Sequence, residues 1–461
     1  MRPLPVEPFE AFSAIVGADQ VTTDAVGIGR AAKDSSWLSP MLSAAIGLDP
    51  QGEGKLPTFG FEAVVKPRNL DELRAVVGLC AEHRIPMVSR GGATSNFGQI
   101  IGREGGILID MRGCNRVIEL TPEYARVEAG CLMGEVQTLA AELDRELTIL
   151  TTTWQHSTAA GWIAGGHVGL GADTWGTIWD GNVLGARLFT AEAEPREITL
   201  AEHELAPVLH TYGTTGILTE VTLPLRPLHR WQERVITFDF FQGAVEFTAE
   251  LSGHTHYDKR VVAAQPPALA AAFHPLKGLI QKGQSCVLAI IDEPGLPSID
   301  EVASRHGGTV HPWRNSGAGV SLAQMVYGHR LLWVKRVLPT CAFFHVYFHP
   351  EHFRTQLHAL EARFGEAVQT EFKFVRSPFL RKLWGHAPEG ALPISALALL
   401  PEKGADLPAV MAACDDLGIA YMNPHTFYLD DSGFFPDFAP ILAFKRQADP
   451  HGLLNPGKIR V

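Results

Sequence analysis

The stretch Arg90-Gly91-Gly92-Ala93-Thr94-Ser95-Asn96-Phe97-Gly98 constrains this chain more than any other. It follows an apolar, strand-like run at Pro86–Ser89, and small residues and glycine dominate it after the opening arginine. A backbone with so few side chains can come close to a ligand and point its N–H groups at a phosphate. A second glycine-rich block, Gly161 to Gly171, follows about 70 residues later. Two such blocks suit a long, bent, phosphate-containing cofactor threaded through one domain.

Composition narrows the classes. A chain of 461 residues is long enough for two domains. With 46% apolar and 19% charged residues it should fold as a globule. Its net charge of -11 argues against nucleic acid as a partner. No apolar run reaches the ~18 residues of a membrane span. The N-terminal residues lack the apolar centre of a signal peptide. The six cysteines form no CxxC pair, which fits buried, reduced thiols and a cytoplasmic setting.

Spacing organises the chain. Residues 1–50 read as a helical extension, with apolar Phe9, Phe12, Ile15 and Val16. From residue 51, a helix is expected at Asp71–His83 and strands at 85–89 and 106–110. A hairpin is expected at 116–120 and 124–129, a helix at 133–143, and a strand at 218–225 closed by Pro224 and Pro227. The domain break is placed there, at 228. Residues 229–404 read as a cap with strands at 234–241, 286–292, 342–348 and 394–400. Cap helices are expected around 263–272, 322–326 and 351–364. The chain then returns to the first domain over 405–461.

One motif competes with the glycine loops. Gly27-Ile28-Gly29-Arg30-Ala31-Ala32 fits the GxGxxA dinucleotide fingerprint. No βαβ unit follows it within ~30 residues, so a nicotinamide site is not expected there.

Four segments in order resemble the FAD-binding fold of the vanillyl-alcohol oxidase / para-cresol methylhydroxylase superfamily, glycolate-oxidase-subunit-like branch. They are Val64–Leu73; Arg90–Gly98; Gly161–Gly171 with Asn182–Ala186 and Gly213–Thr222; and Ala448–Lys458. Asp34-Ser35-Ser36-Trp37 is similar to the family's N-terminal lead-in. The resemblance implies an α+β fold: a two-part FAD-binding domain with an inserted cap of antiparallel sheet and helices. It implies FAD held by Arg90, Gly91, Gly92, Ala93, Thr94, Ser95, Asn96 and Gly98 in the first loop. Thr158, Gly161, Ala164, Gly165, Gly166 and His167 would hold it in the second, and Gly216, Ile217, Val221, Asn455 and Lys458 further on. Some family members attach flavin through a histidine in the first loop. None stands at residues 90–99, where Thr94 lies near its place, so non-covalent FAD is expected. His425, Tyr428 and Cys131 remain as other attachment points.

For chemistry, His425 is expected to be the base in a flavin-dependent oxidation of a small alcohol or 2-hydroxy acid, with Tyr428 orienting it. Asn423, His425 and Tyr428 follow the cap, as expected of residues at the rim of a site. Tyr327 and His329 are further catalytic candidates. Arg330 or Lys335 could hold a substrate carboxylate, although a solvated face is the slightly favoured reading for these cations. His345, His349 and His352 spell HxxxHxxH, but the Gly-Asp-Gly-Asn stretch of metal-bearing relatives is missing and no metal is expected. Expected partners are a small-molecule substrate and an electron acceptor, oxygen or a carrier; a homodimer is a further option. The alternative function is a flavin-binding electron-transfer subunit without turnover of its own.

Overall fold

The structure is a computed structural model. It describes residues 6–35, 42, 60–96, 98–313, 320–339, 341–382, 392–399, 406–433, 435 and 437–460. Ser36, Trp37, Phe97, Leu400 and the boundaries expected at 50/51 and 404/405 lie outside the described residues.

Two compact units are present. The first comprises residues 1–167, 181–227 and 424–461, the second 168–180 and 228–423. The first begins with a helix, Val6–Val16, which buries Phe12 and Val16. Strand β1 (Val21–Thr22) then pairs antiparallel with β2 (Ala63–Val65), so the N-terminal segment joins the sheet instead of remaining a helical extension. The sheet continues in parallel through β4 (Ile107–Asp110) to β3 (Met87–Arg90). Helix Leu70–Glu82 makes the crossover from β2 to β3. The Asn69 side chain accepts from the Glu72 N–H at its start, and Leu73, Val76, Val77 and Cys80 bury its apolar stripe.

A second sheet in this unit is antiparallel, in the order β5 (Val117–Leu120), β6 (Tyr124–Glu128), β10 (Ile217–Pro227), β8 (Gly185–Phe189), β9 (Glu197–Ala201); β7 (Arg145–Leu147) also pairs with β10. The expected hairpin is β5–β6. Pro224 does not close its strand: it lies opposite Tyr124, and its carbonyl accepts the Thr148 hydroxyl. A proline costs one ladder donor but keeps its acceptor.

The second unit is built on eight antiparallel strands. Their order is β14 (Thr309–Trp313), β11 (Trp231–Phe238), β13 (Ser285–Asp292), β12 (Lys259–Gln265), β16 (Val368–Val375), β17 (Leu392–Leu399), β15 (Ala342–Tyr347), β18 (Ala420–Met422). Alternate residues such as Ile236, Val262, Ala264, Val287, Ala289, Phe344 and Phe372 form one core with Phe247, Leu251, Val302, Leu357, Leu360 and Val410 of the helices. The other set includes Gln265, Glu371 and Lys373, all buried. Helix Leu407–Leu417 and β18, which pairs with β15, extend the unit to Asn423, beyond the return expected at 405. The helix expected at 263–272 is a strand as far as Gln265, followed by a short helix at Pro267–Ala270. Strand pairing on both sides of Ala263 and Ala264 outweighs alanine's helical preference. Around 322–326 only a short 3-10 turn forms, and the long helix starts at Tyr327.

Gly27 and Gly29 lie within the helix Ala25–Ala31, which Asp24 caps, so the GxGxxA match is not a strand-to-helix phosphate loop. A Cβ on Gly29 would meet nothing within 4 Å. Gly29→Ala should therefore stabilise the protein by about 0.5–1 kcal/mol in denaturant unfolding and leave cofactor content unchanged. Loss of cofactor in that variant would restore the fingerprint reading.

Candidate active site

In the first unit the two glycine blocks touch. A Cβ on Gly91 would stand 2.0 Å from Thr158 Oγ1, and one on Gly92 1.8 Å from the His156 carbonyl oxygen. Only glycine permits that approach. Ala93 follows with φ of 53°, the left-handed region that side chains rarely adopt. The loop's hydroxyls are used in lacing: Thr94 Oγ1 lies 2.8 Å from Ser157 Oγ, and Ser95 Oγ donates to Asp34 at 2.7 Å. Asn96 is half-buried beside them. Arg90 is buried and donates to the carbonyls of Ala31 and Gly91. Its guanidinium thus ties the loop to the helix Ala25–Ala31.

Thr158 caps the helix Ala159–Gly165, accepting from the Gly161 N–H. At its far end Gln99 Nε2 donates to the Gly165 carbonyl, and the N–H groups of His210 and Tyr212 donate to the carbonyls of Ile163 and Ala164. His210, Tyr212 and Gly213 all have positive φ, so a left-handed turn clasps the second glycine block. His210 is fully buried, and burial pushes its pKa down to about 4. A neutral imidazole facing the Gly166 carbonyl at 2.9 Å donates to it from Nδ1. The buried His167 ring packs edge-on against His210 at 5.2 Å. Gly216 leads into β10, where Ile217 and Val221 are fully buried in the sheet. Nothing in the sequence marked His210 or Tyr212, because neither residue type signals a left-handed turn.

The C-terminal segment closes the same region. The Met87 N–H donates to the Leu453 carbonyl and the Asn455 N–H to that of Met87. Asn455, with φ of 40°, donates from Nδ2 to the carbonyls of Gln99 and Tyr212, at 2.8 Å each, while its buried Oδ1 has no partner among the described residues. Lys458 is fully buried and donates to the Gly98 carbonyl at 2.5 Å. Burial, then the nearby Arg103, pushes its pKa down to about 7. Among the described residues no carboxylate forms an ion pair with it, but the Asp34 carboxylate acts on it at longer range and offsets part of that shift. Its ammonium lies 4.9 Å over the Phe427 ring, and Arg103 lies over both Phe427 and Tyr428. His425, buried, belongs to this same segment and this same unit. The Cys131 thiol is pushed up to about 12 by burial, which makes it a poor nucleophile.

The second unit carries a buried polar cluster. Glu371 accepts from Lys373 at 2.6 Å and from Gln265 at 2.9 Å, and Arg330 lies 3.5 Å from it. Burial would raise the Glu371 pKa, but Arg330 and Lys373 hold it down to about 2. Arg330, 2% exposed, is therefore not on a solvated face. Lys373 also lies over the Tyr327 ring, whose enclosed hydroxyl has no partner and whose φ is 50°. Asp173 accepts from the Val262 N–H through one oxygen, leaves the other unpartnered, and has its pKa raised by burial. Buried Lys259 is nearby, its pKa lowered by burial. Two carboxylates thus face three cations. His329 is half-buried one residue before Arg330. Lys335 donates to the Pro339 carbonyl, and burial lowers its pKa to about 8.

The HxxxHxxH histidines separate. His345 lies on β15 against Phe343, whereas His349, Glu351 and His352 bring ligand atoms within 4.8 Å of one another on an exposed turn. His352 stands at the N-cap position of helix Phe353–Phe364 without a side-chain capping bond, and the helix dipole there disfavours a cation.

Comparison with known proteins places this geometry. Residues 61–199 match the FAD binding domain family. Glycolate oxidase subunit GlcD of Bacillus subtilis is 36% identical over 73 residues, 15% of this chain and 16% of that protein. D-2-hydroxyglutarate dehydrogenase of Escherichia coli is 30% identical over 160 residues, 33% of this chain and 15% of that protein. A probable mitochondrial D-lactate dehydrogenase of Danio rerio is 26% identical over 204 residues, covering 41% and 40%. Residues 61–199 are thus an FAD binding domain, and the chain is similar to FAD-linked oxidoreductases beyond it. Each of these matches spans less than half of the relative's own length. The fold agrees: alkyldihydroxyacetonephosphate synthase superposes with a TM-score of 0.69 at 15% identity, covering 100% of this chain and 86% of that one. The fold is α+β, with a two-part FAD-binding domain and an inserted antiparallel cap.

The first unit fits FAD. Two glycine-rich loops in close approach, an Asn455 oxygen without a partner among the described residues and a buried ammonium that the Asp34 carboxylate only partly offsets suit a ligand that is anionic and rich in hydrogen-bonding groups. Gly92→Ala should empty the site of flavin, because the His156 carbonyl must move. In Gly165→Ala the new Cβ meets Gln99 only at 3.7 Å, so this variant should keep the fold. Flavin-to-protein ratio with circular dichroism checks both. An anion beside Lys458 would raise its pKa. FAD binding should therefore take up a proton at about pH 8, and affinity should fall as pH rises above 7. Calorimetry in two buffers of different ionisation enthalpy reads the uptake, which Lys458→Met should remove.

Proposed function

We propose that this chain is a flavin-dependent oxidoreductase that oxidises the hydroxyl-bearing carbon of a small 2-hydroxy acid, with FAD held non-covalently. The observation that carries this reading is the meeting, within one unit, of the glycine loops, the buried Lys458 and the His425–Tyr428 segment. Relatives named for glycolate, D-lactate and D-2-hydroxyglutarate supply the substrate class. Bound flavin would supply the hydride acceptor, and the remaining work falls to the protein.

His425 is the group that takes the hydroxyl proton, and Tyr428 orients the substrate. The absence of histidine from the first loop and the unreactive Cys131 thiol support non-covalent attachment. The word "subunit" in the name of one relative keeps an electron-transfer role without independent turnover as the second reading.

Anaerobic mixing of the purified chain with glycolate, D-lactate and D-2-hydroxyglutarate should bleach its flavin with at least one of them. Failure with all three, and with simple alcohols, favours the electron-transfer reading. His425→Ala should slow bleaching by about 10²–10⁴ at unchanged flavin content. Bleaching at the unaltered rate would remove His425 from the mechanism. Acid precipitation should leave the flavin in the supernatant; a yellow pellet would show covalent attachment.

A further inference from the structure

A groove of about 410 Å³ opens within the second unit, lined by Thr174, Trp175, Trp179, Asp180, Arg376, Pro378, Phe379 and Lys382. Its size is that of a small-molecule site. We propose that it binds a flat aromatic carboxylate, packed against the aromatic wall of the groove with its charge on Arg376 and Lys382. This inference stands apart from the proposed oxidation and does not rest on it.

The walls are built and fixed. Trp179 and Phe379 stack with centroids 4.5 Å apart and planes within 11°, presenting parallel aromatic surface. Trp175 is held by His229 at 5.7 Å and by Trp231 at 6.1 Å, with the Arg260 guanidinium 5.8 Å above its ring. The two chain segments that form the groove are laced together. The Arg376 N–H donates to the Ala172 carbonyl, and Thr174 exchanges hydrogen bonds with the Lys259 backbone.

Charge decides the ligand's sign. Asp180 is the one carboxylate lining the groove, and it is saturated: it accepts from the Thr177 N–H and hydroxyl, the Ser377 hydroxyl and the Phe379 N–H. Its four donors hold it as a structural clamp. The guanidinium of Arg376, half-buried, has no ion pair and donates no hydrogen bond among the described residues. Lys382 lies 5.7 Å over the Phe379 ring and likewise has no ion-pair partner among them. Two cations beside aromatic planes, neither in an ion pair among the described residues and only Arg376 within reach of a buried carboxylate, that of Asp173, favour an anion with a ring attached. A guanidinium offers a carboxylate two parallel donors.

Titration of the flavin-loaded, full-length protein with 2-naphthoate, read by tryptophan fluorescence, tests the proposal. Saturable quenching is expected, with much weaker binding of cyclohexanecarboxylate and none of 2-naphthylmethylamine. Trp179→Leu and Arg376→Gln should each weaken naphthoate binding by about tenfold or more. Lys382→Gln, at an exposed position, tests the charge without touching the packing, and circular dichroism checks each fold. Absence of saturable binding overturns the proposal. So does binding that survives both Arg376→Gln and Lys382→Gln, or an amine that binds as well as the acid.

Discussion

The first unit depends on one close approach. Where Gly91 and Gly92 pass Thr158 and His156, the backbones stand nearer than any side chain allows. That contact brings the end of β3 against the start of the helix Ala159–Gly165, so two loops far apart in sequence act as one cradle. The rest is clamped onto it. Gln99 and the left-handed turn at His210–Gly213 hold the far end of that helix, and Asn455 reaches both Gln99 and Tyr212. Strained backbone at Ala93, His210, Tyr212 and Asn455 clusters here, as it does where a ligand is gripped.

Burial of charge is the second constraint, and the two units handle it differently. Lys458 is buried against a carbonyl and an aromatic face, and the Asp34 carboxylate offsets only part of the cost of its burial, so its ammonium is destabilised until an anion arrives. In the cap, Glu371 is shared by Lys373 and Arg330, which holds it ionised despite full burial. Removing one partner from such a set is costly, about 3–5 kcal/mol, because it strands the other charge. The first arrangement is incomplete without a ligand, whereas the second is largely self-sufficient and keeps only a few unpartnered oxygens for one.

Much of this was legible in the sequence, for physical reasons. Glycines forced by close approach leave a compositional mark, so the Arg90–Gly98 and Gly161–Gly171 loops could be read directly. The strand and helix periods of the first unit are regular, and the helix Leu70–Glu82 lies within a residue of its expected bounds. What could not be read was set by tertiary pairing. Ala263 and Ala264 have helical character but lie between two strands. Pro224 looks like a strand end until its ladder partner is seen. Arg330 looks like surface until Glu371 is placed beside it, and Asp34 as the partner of Ser95 had no local signal. His349 and His352 stayed together while His345, four residues earlier, turned away along its strand.

The claim that these glycine loops, the left-handed turn and the C-terminal tail form one cofactor cradle is tested most directly by amide hydrogen exchange, with and without FAD. The account predicts that FAD slows exchange together at residues 91–95, 158–166, 210–217 and 453–458, and leaves the helix Ala25–Ala31 unchanged. Protection confined to that helix, or absent from the two glycine loops, would contradict it.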